Sequence, residues 1–143
     1  RLSLIFNFLY YLHGYYSHYP REYSGEWLYG YKEAISYASE VVYNYETIVF
    51  TEALGRPYIY TLFYKKENPS FFRETAQITR EVFGFVHVTG FGKYVFMKEP
   101  KNYFVENKRI LYIDIPKDVP SGVTILKTFF LLNGNPVLVA YTR

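Results

Sequence analysis

No cysteine occurs among the 143 residues, and that absence removes disulfides, thiolate metal centres and a cysteine nucleophile at once. It leaves the compartment open, because a cysteine-free chain is comfortable in reducing and oxidising surroundings alike. Methionine occurs once, at Met97. Scarce Cys and Met beside abundant Tyr, Glu and Lys is also a composition that suits a thermophile. A strong charge of one sign is missing too. The net charge is only +3, and no run of Lys or Arg exceeds two. A nucleic-acid binder needs a concentrated phosphate-facing patch, so nucleic acid is not an expected partner.

Long apolar runs are missing as well. The most hydrophobic stretch, "LSLIFNFLYYL" from Leu2 to Leu12, falls well short of the ~20 residues that cross a bilayer. Motifs for nucleophilic or phosphate chemistry are not found: there is no G-x-S-x-G elbow and no glycine-rich loop leading from a strand into a helix. "GFGKY" at 90–94 lies between two strand-like runs and reads as a turn. His13 and His18 are five apart, off the i,i+4 spacing that sets two imidazoles on one helix face. His87 sits in a strand with no acid near it in sequence. All three read as structural or interfacial, so neither a metal nor another cofactor is expected. The one N-x-S/T string, at Asn68, is blocked by Pro69.

What the chain has in excess is aromatic surface: 18 Tyr and 13 Phe. Tyr joins an apolar face to a polar tip, and it gathers at interfaces, at sugar-facing surfaces and at membrane-water boundaries. The length fits one domain with a real core. The start at Arg1, with Met97 the only methionine, suggests a fragment of a longer product.

Two readings of Leu2 to Leu12 stand open. Leu2, Ile5, Leu9 and Leu12 make a stripe suited to a core helix. The tyrosines that follow, from Tyr10 to Tyr19, also resemble the interfacial belt after a membrane helix. Pro20 is expected to end this element. Ser24 is placed as the N-cap of a second helix over 25–42, with Trp27, Tyr31, Ala34, Ile35, Ala38 and Val42 inward. "ETIVFTE" at 46–52 reads as a buried strand. Residues 57–69 fit helix or strand, with Pro57 at a helical first position favouring helix, and 70–82 read as a further helix with Ile78 inward. Strands are expected in "FGFVHVT", "KYVFMK", "RILYIDI", "TILKTFFLL" and "PVLVAYT", the last two joined through "NGN" at 133–135 as a hairpin. The expected fold is α/β (or α+β), with N-terminal helices packed on one mixed β-sheet that ends in a β-hairpin. Residues 1–20 form a membrane-proximal helix in this reading and 21–143 a single soluble domain.

Most acids occupy helix faces or loops, where solvation explains them. Glu52 differs, since it ends the first strand, and ligands of open α/β sheets bind outside the carboxyl ends of strands. The loop from Thr51 to Pro57, with Glu52 and Arg56, is therefore the candidate polar cleft. Asp114, ending "LYIDIP", is a second. A soluble hydrolase using Glu52 with another acid is the least favoured reading.

The order "YYLHGYYSHYP", "EWLYGYKEAISYA" and "YETIVFTEALGRPYIYTLFYKKENPSFF" is similar to the extracytoplasmic C-terminal region of prokaryotic multi-spanning membrane glycosyltransferases. These are enzymes of the dolichyl-phosphate-mannose–protein mannosyltransferase type. Trp27, Tyr29, Gly30, Tyr31, Lys32, Glu33 and Ala34 carry the resemblance, which covers the first half of the chain well and the second half loosely. It implies that Leu2 to Leu12 is the exit of a membrane helix and that the domain faces the extracytoplasmic side. It also implies that the catalytic acids lie in a membrane region outside this chain, so no catalytic residue is assigned here. "EWLYGY" further resembles the W-W-D-Y-G motif of the oligosaccharyltransferase catalytic subunit, with Glu26 in place of the first Trp and Leu28 in place of the Asp. The expectation is an accessory domain, joined to the transmembrane region of the same polypeptide, that positions a saccharide or acceptor peptide through Trp27, Tyr29, Tyr31, Glu52 and Arg56. The alternative is a non-enzymatic carbohydrate- or protein-binding module of a secreted or surface protein.

Overall fold

Seven β-branched and aromatic runs pair into one sheet in the computed structural model, which describes residues 2–80, 82 and 84–143. In chain order the strands are β1 (Thr47–Thr51), β2 (Gln77–Arg80), β3 (Val86–Phe91), β4 (Tyr94–Met97), β5 (Ile110–Asp114), β6 (Thr124–Phe130) and β7 (Pro136–Thr142). Their spatial order is β2-β3-β4-β1-β5-β7-β6. β1 runs parallel to β4 on one side and to β5 on the other, and the outer pairings are antiparallel. Every residue of β1 is buried, which is why its sequence is an unbroken TIVFT and not an alternation. The class is therefore α/β with a mixed sheet and a C-terminal hairpin, as the residue pattern predicts.

Helices cover one face. α3 (Tyr31–Val41), α4 (Pro57–Lys65) and α5 (Pro69–Thr75) pack Tyr31, Ala34, Ile35, Ala38, Leu62 and Phe72 against Ile48, Phe50, Phe91 and Phe96. Of these, the fully buried Ile35, Ile48, Phe50, Phe91 and Phe96 each contribute about 1.5–3 kcal/mol relative to exposure. The opposite face is covered by chain alone. There Tyr103, Val105, Val119 and Val123 lie over Val49, Ile110, Tyr112 and Tyr141, and the rings of Tyr112 and Tyr141 stack 5.0 Å apart.

Two expected helices are shorter than their periodicity suggests. α3 begins at Tyr31, not at 25, because Gly30 takes φ +98° immediately before it. Residues 24–30 form turns, and Ser24 does not cap α3: its buried hydroxyl donates to the Arg21 carbonyl at 3.1 Å. Trp27 consequently leaves the core stripe and stands 70% exposed. α5 stops at Thr75, after an Asn68 side chain that caps the Ser70 N–H at 2.8 Å. Residues 77–80 then extend into the exposed edge strand β2, where an Ile-Thr pair finds β3 to bond, and Ile78 points outward, not inward. Glu81 and Phe83, at the ends of the expected helix and strand, lie outside the described residues.

The N-terminal element departs furthest. α1 (Leu2–His13), a π-helical turn over Gly14–His18 and α2 (Tyr19–Glu22) follow one another without a break, and none of their residues is buried. Pro20 therefore does not end the helix. A proline inside a helix removes one i→i−4 bond and crowds the carbonyl four residues back, and the wider π turn lies where that crowding falls. The core-stripe reading of Leu2 to Leu12 is overturned, since Leu2, Leu4, Ile5, Phe6 and Leu9 are all exposed. Among the described residues no helix is long and apolar enough to cross a membrane.

Candidate functional site

Glu52 follows β1 at its carboxyl end, where its N–H donates to the Met97 carbonyl at 3.0 Å. The Thr51 hydroxyl accepts the Ala53 N–H at 3.2 Å, and Gly55 closes the turn onto the Glu52 carbonyl. This tight loop aims the Glu52 carboxylate toward the helix face, with Oε1 3.2 Å from His87 Nε2. Arg56 reaches the same strand, its Nη1 donating to the Val86 carbonyl at 3.0 Å. The loop is thus a polar cluster, as its residue types suggest. The reading of His87 as a histidine without an acid is corrected: Glu52 is distant in sequence and adjacent in space.

Tyr31 lies beneath the cluster and is itself buried, stacked on Phe50 and tilted against Tyr60. Burial first, then the neighbouring Tyr60 and Glu52, hold its phenol well above the ordinary value. Its hydroxyl has no hydrogen-bond partner among the described residues. Tyr31 is therefore a core residue whose phenol lies within the electrostatic reach of Tyr60 and Glu52, and it does not share a surface with Trp27.

Trp27 and Tyr29 line a different feature. The left-handed Gly30, together with Leu28 at φ +53°, folds residues 27–30 back over the start of α3. Between this turn and the exposed side of α3 lies a groove of about 510 Å³. Tyr37 and Tyr64 supply further rings, while Lys32, Glu33, Glu40 and Lys127 bring charges of both signs. The Lys127 ammonium sits over the Tyr37 ring, 5.2 Å from its centroid. The five candidate residues therefore divide: Trp27 and Tyr29 at the groove, Tyr31, Glu52 and Arg56 around the strand end. Tyr37, Tyr64 and Lys127 were not singled out from sequence.

Asp114 ends β5 with its side chain fully buried. Oδ1 accepts the Ile115 N–H at 2.8 Å. Burial raises its pKa, against the lowering pull of that bond and of the Thr51 hydroxyl. Tyr141 beside it is pushed up to about 12, by burial first and then by Asp114. Strand alternation separates the two acids. Glu52 acts on Tyr31 in the helix-side core and Asp114 on Tyr141 in the opposite one. They do not converge as a general acid–base pair must.

Fold and site together define a mixed α/β domain with an aromatic surface groove and two separated acids at strand ends. Comparison with protein-family models, with curated proteins and with solved structures returned no match.

Proposed function

We propose that the chain is an extracytoplasmic accessory domain of a membrane glycosyltransferase using a lipid-phosphate-linked sugar donor. Its role is to hold a saccharide acceptor, and the transfer chemistry belongs to residues outside it. The observation that carries this reading is the groove at Trp27. Exposing a Trp forgoes about 1.5–3 kcal/mol of burial, and the turn of Gly30 keeps it exposed beside Tyr29, Tyr37 and Tyr64. Aromatic rings suit sugars because the C–H face of a pyranose covers a ring while carboxylates and ammonium groups meet its hydroxyls. The volume lies within the ~300–1,000 Å³ usual for small-ligand sites.

The helix from Leu2 to Tyr19, which carries no Asp, Glu, Lys or Arg and has no buried residue, supports the membrane part of the reading. Its exposed Leu2, Leu4, Ile5, Phe6, Phe8 and Leu9 make an apolar surface suited to an apolar surrounding, and the tyrosines at its C-terminal half have the character of an interfacial belt. The same helix weighs against a free secreted carbohydrate-binding module, which has no use for it. A glycan array probed with the full chain tests the proposal. One class of oligosaccharide retains the wild type, and Trp27→Ala lowers that retention at least about tenfold, the loss of a central aromatic anchor. Equal retention of both proteins, or none by the wild type, overturns it.

A further inference from the structure

We propose that His13 and His18 form a two-imidazole clamp for a divalent transition metal, with zinc the best fit. In a regular α-helix residues five apart point in different directions, but the turn Gly14–His18 is π-helical. A π turn brings i and i+5 into line, and such turns occur frequently at functional sites. The two Nε2 atoms consequently stand 3.3 Å apart.

That separation matches a tetrahedral bite. Two Zn–N bonds of about 2.0–2.1 Å meeting at the tetrahedral angle place their nitrogens about 3.3–3.4 Å apart. Ring positions agree. If both ring axes converge on one such ion, similar triangles place the centroids about 5 Å apart, and they lie 5.0 Å apart at an interplanar angle of 78°. Without metal, one imidazole N–H donates to the other ring, so the pair is held together before an ion arrives.

The remaining ring nitrogens are also attended. His13 Nδ1 is 3.4 Å from the Ser17 hydroxyl, and His18 Nδ1 is 3.8 Å from Glu22 Oε1. When an ion takes both Nε2 atoms, the proton of the donating ring moves to Nδ1, where the Ser17 hydroxyl is placed to accept from His13 and the Glu22 carboxylate lies near His18, the kind of support a metal-bound histidine has. Among the described residues no third His, Cys, Asp or Glu joins the pair at ligand distance. The clamp therefore supplies two ligands and leaves the other positions to water.

Titration of the full chain with Zn²⁺, followed by calorimetry and by the histidine ring resonances, tests this. The expected result is saturable binding that perturbs His13 and His18 and spares His87. His13→Ala and His18→Ala each abolish it, and Glu22→Gln weakens it about tenfold or more, as loss of a supporting carboxylate does. Both histidines are exposed and outside the core, so the variants keep the far-ultraviolet circular dichroism of the wild type. Inserting one residue between Gly14 and Tyr15, which changes the helical phase and keeps both histidines, also abolishes binding. Absence of Zn²⁺ binding by the wild type, or binding undiminished in His13→Ala, overturns the proposal.

Discussion

Gly30 decides where Trp27 stands. Its φ of +98° costs an L-residue about 1–2 kcal/mol, and an added Cβ would lie 2.6 Å from Val137 Cγ1. Gly30→Ala is therefore expected to destabilise the domain by about 2–4 kcal/mol, read as a fall in the urea midpoint. Gly14→Ala, with nothing within 4 Å of its Cβ, serves as the comparison and leaves that midpoint nearly unchanged. Tyr31→Phe removes a buried hydroxyl without a partner, and it is expected to raise stability by about 1 kcal/mol. A loss of stability would mean that the hydroxyl does bond in the folded protein. Asp114 gives a pH signature. Its raised pKa means the folded state keeps a proton that the unfolded chain has released. Stability thus falls as pH rises from about 4, the ordinary carboxylate value, toward the raised one. Asp114→Asn abolishes that slope and leaves stability at neutral pH equal or higher. Urea midpoints at about pH 4 and about pH 7 check both statements, and an unchanged slope assigns the titration elsewhere.

At the scale of elements, strand pattern was the legible signal. β1, β5, β6 and β7 are runs of β-branched and aromatic residues, and Asn133-Gly134 closes the final hairpin as its composition predicts. Helix limits were harder. The apolar period of α3 continues backward through Trp27, so periodicity cannot show that Gly30 adopts a left-handed conformation and halts the helix. β2 differs from its expected helix because "QITR" also extends the helical period of α5, and only the open edge of β3 decides between the two. The π turn has no sequence signature apart from Pro20 downstream, which hides the alignment of His13 with His18. The N-terminal helix buries nothing in the domain, so deleting residues 1–18 is expected to leave the urea midpoint unchanged within about 0.5 kcal/mol, the usual size of effects away from packed features. On the proposed membrane-proximal role, the full chain is expected to co-float with phospholipid vesicles and the same deletion to abolish it; no co-flotation of the full chain would contradict that role. A large loss of stability would show that the helix docks on the domain after all.

For the whole molecule, the sheet explains why one candidate was readable and another was not. Glu52 ends the central strand, and the end of a buried β-branched run is visible in sequence. Its partner His87 arrives from β3, two strands away, through a crossover that residue spacing does not encode. The groove is similarly non-local, since Tyr37 and Tyr64 come from separate helices and Lys127 from the edge strand β6. These parts meet only because α3 lies across the sheet with the turn 24–30 folded back on it. The central claim is that this meeting place receives a sugar. Trp27 is the only tryptophan in the chain, so its fluorescence reports on the groove and on nothing else. Titrating the full chain with mannose-, glucose- and N-acetylglucosamine-containing oligosaccharides should give, for one of them, a saturable shift of Trp27 emission and protection from acrylamide quenching. Both effects should weaken in Tyr37→Ala. Emission and quenching unchanged by every oligosaccharide would contradict the account.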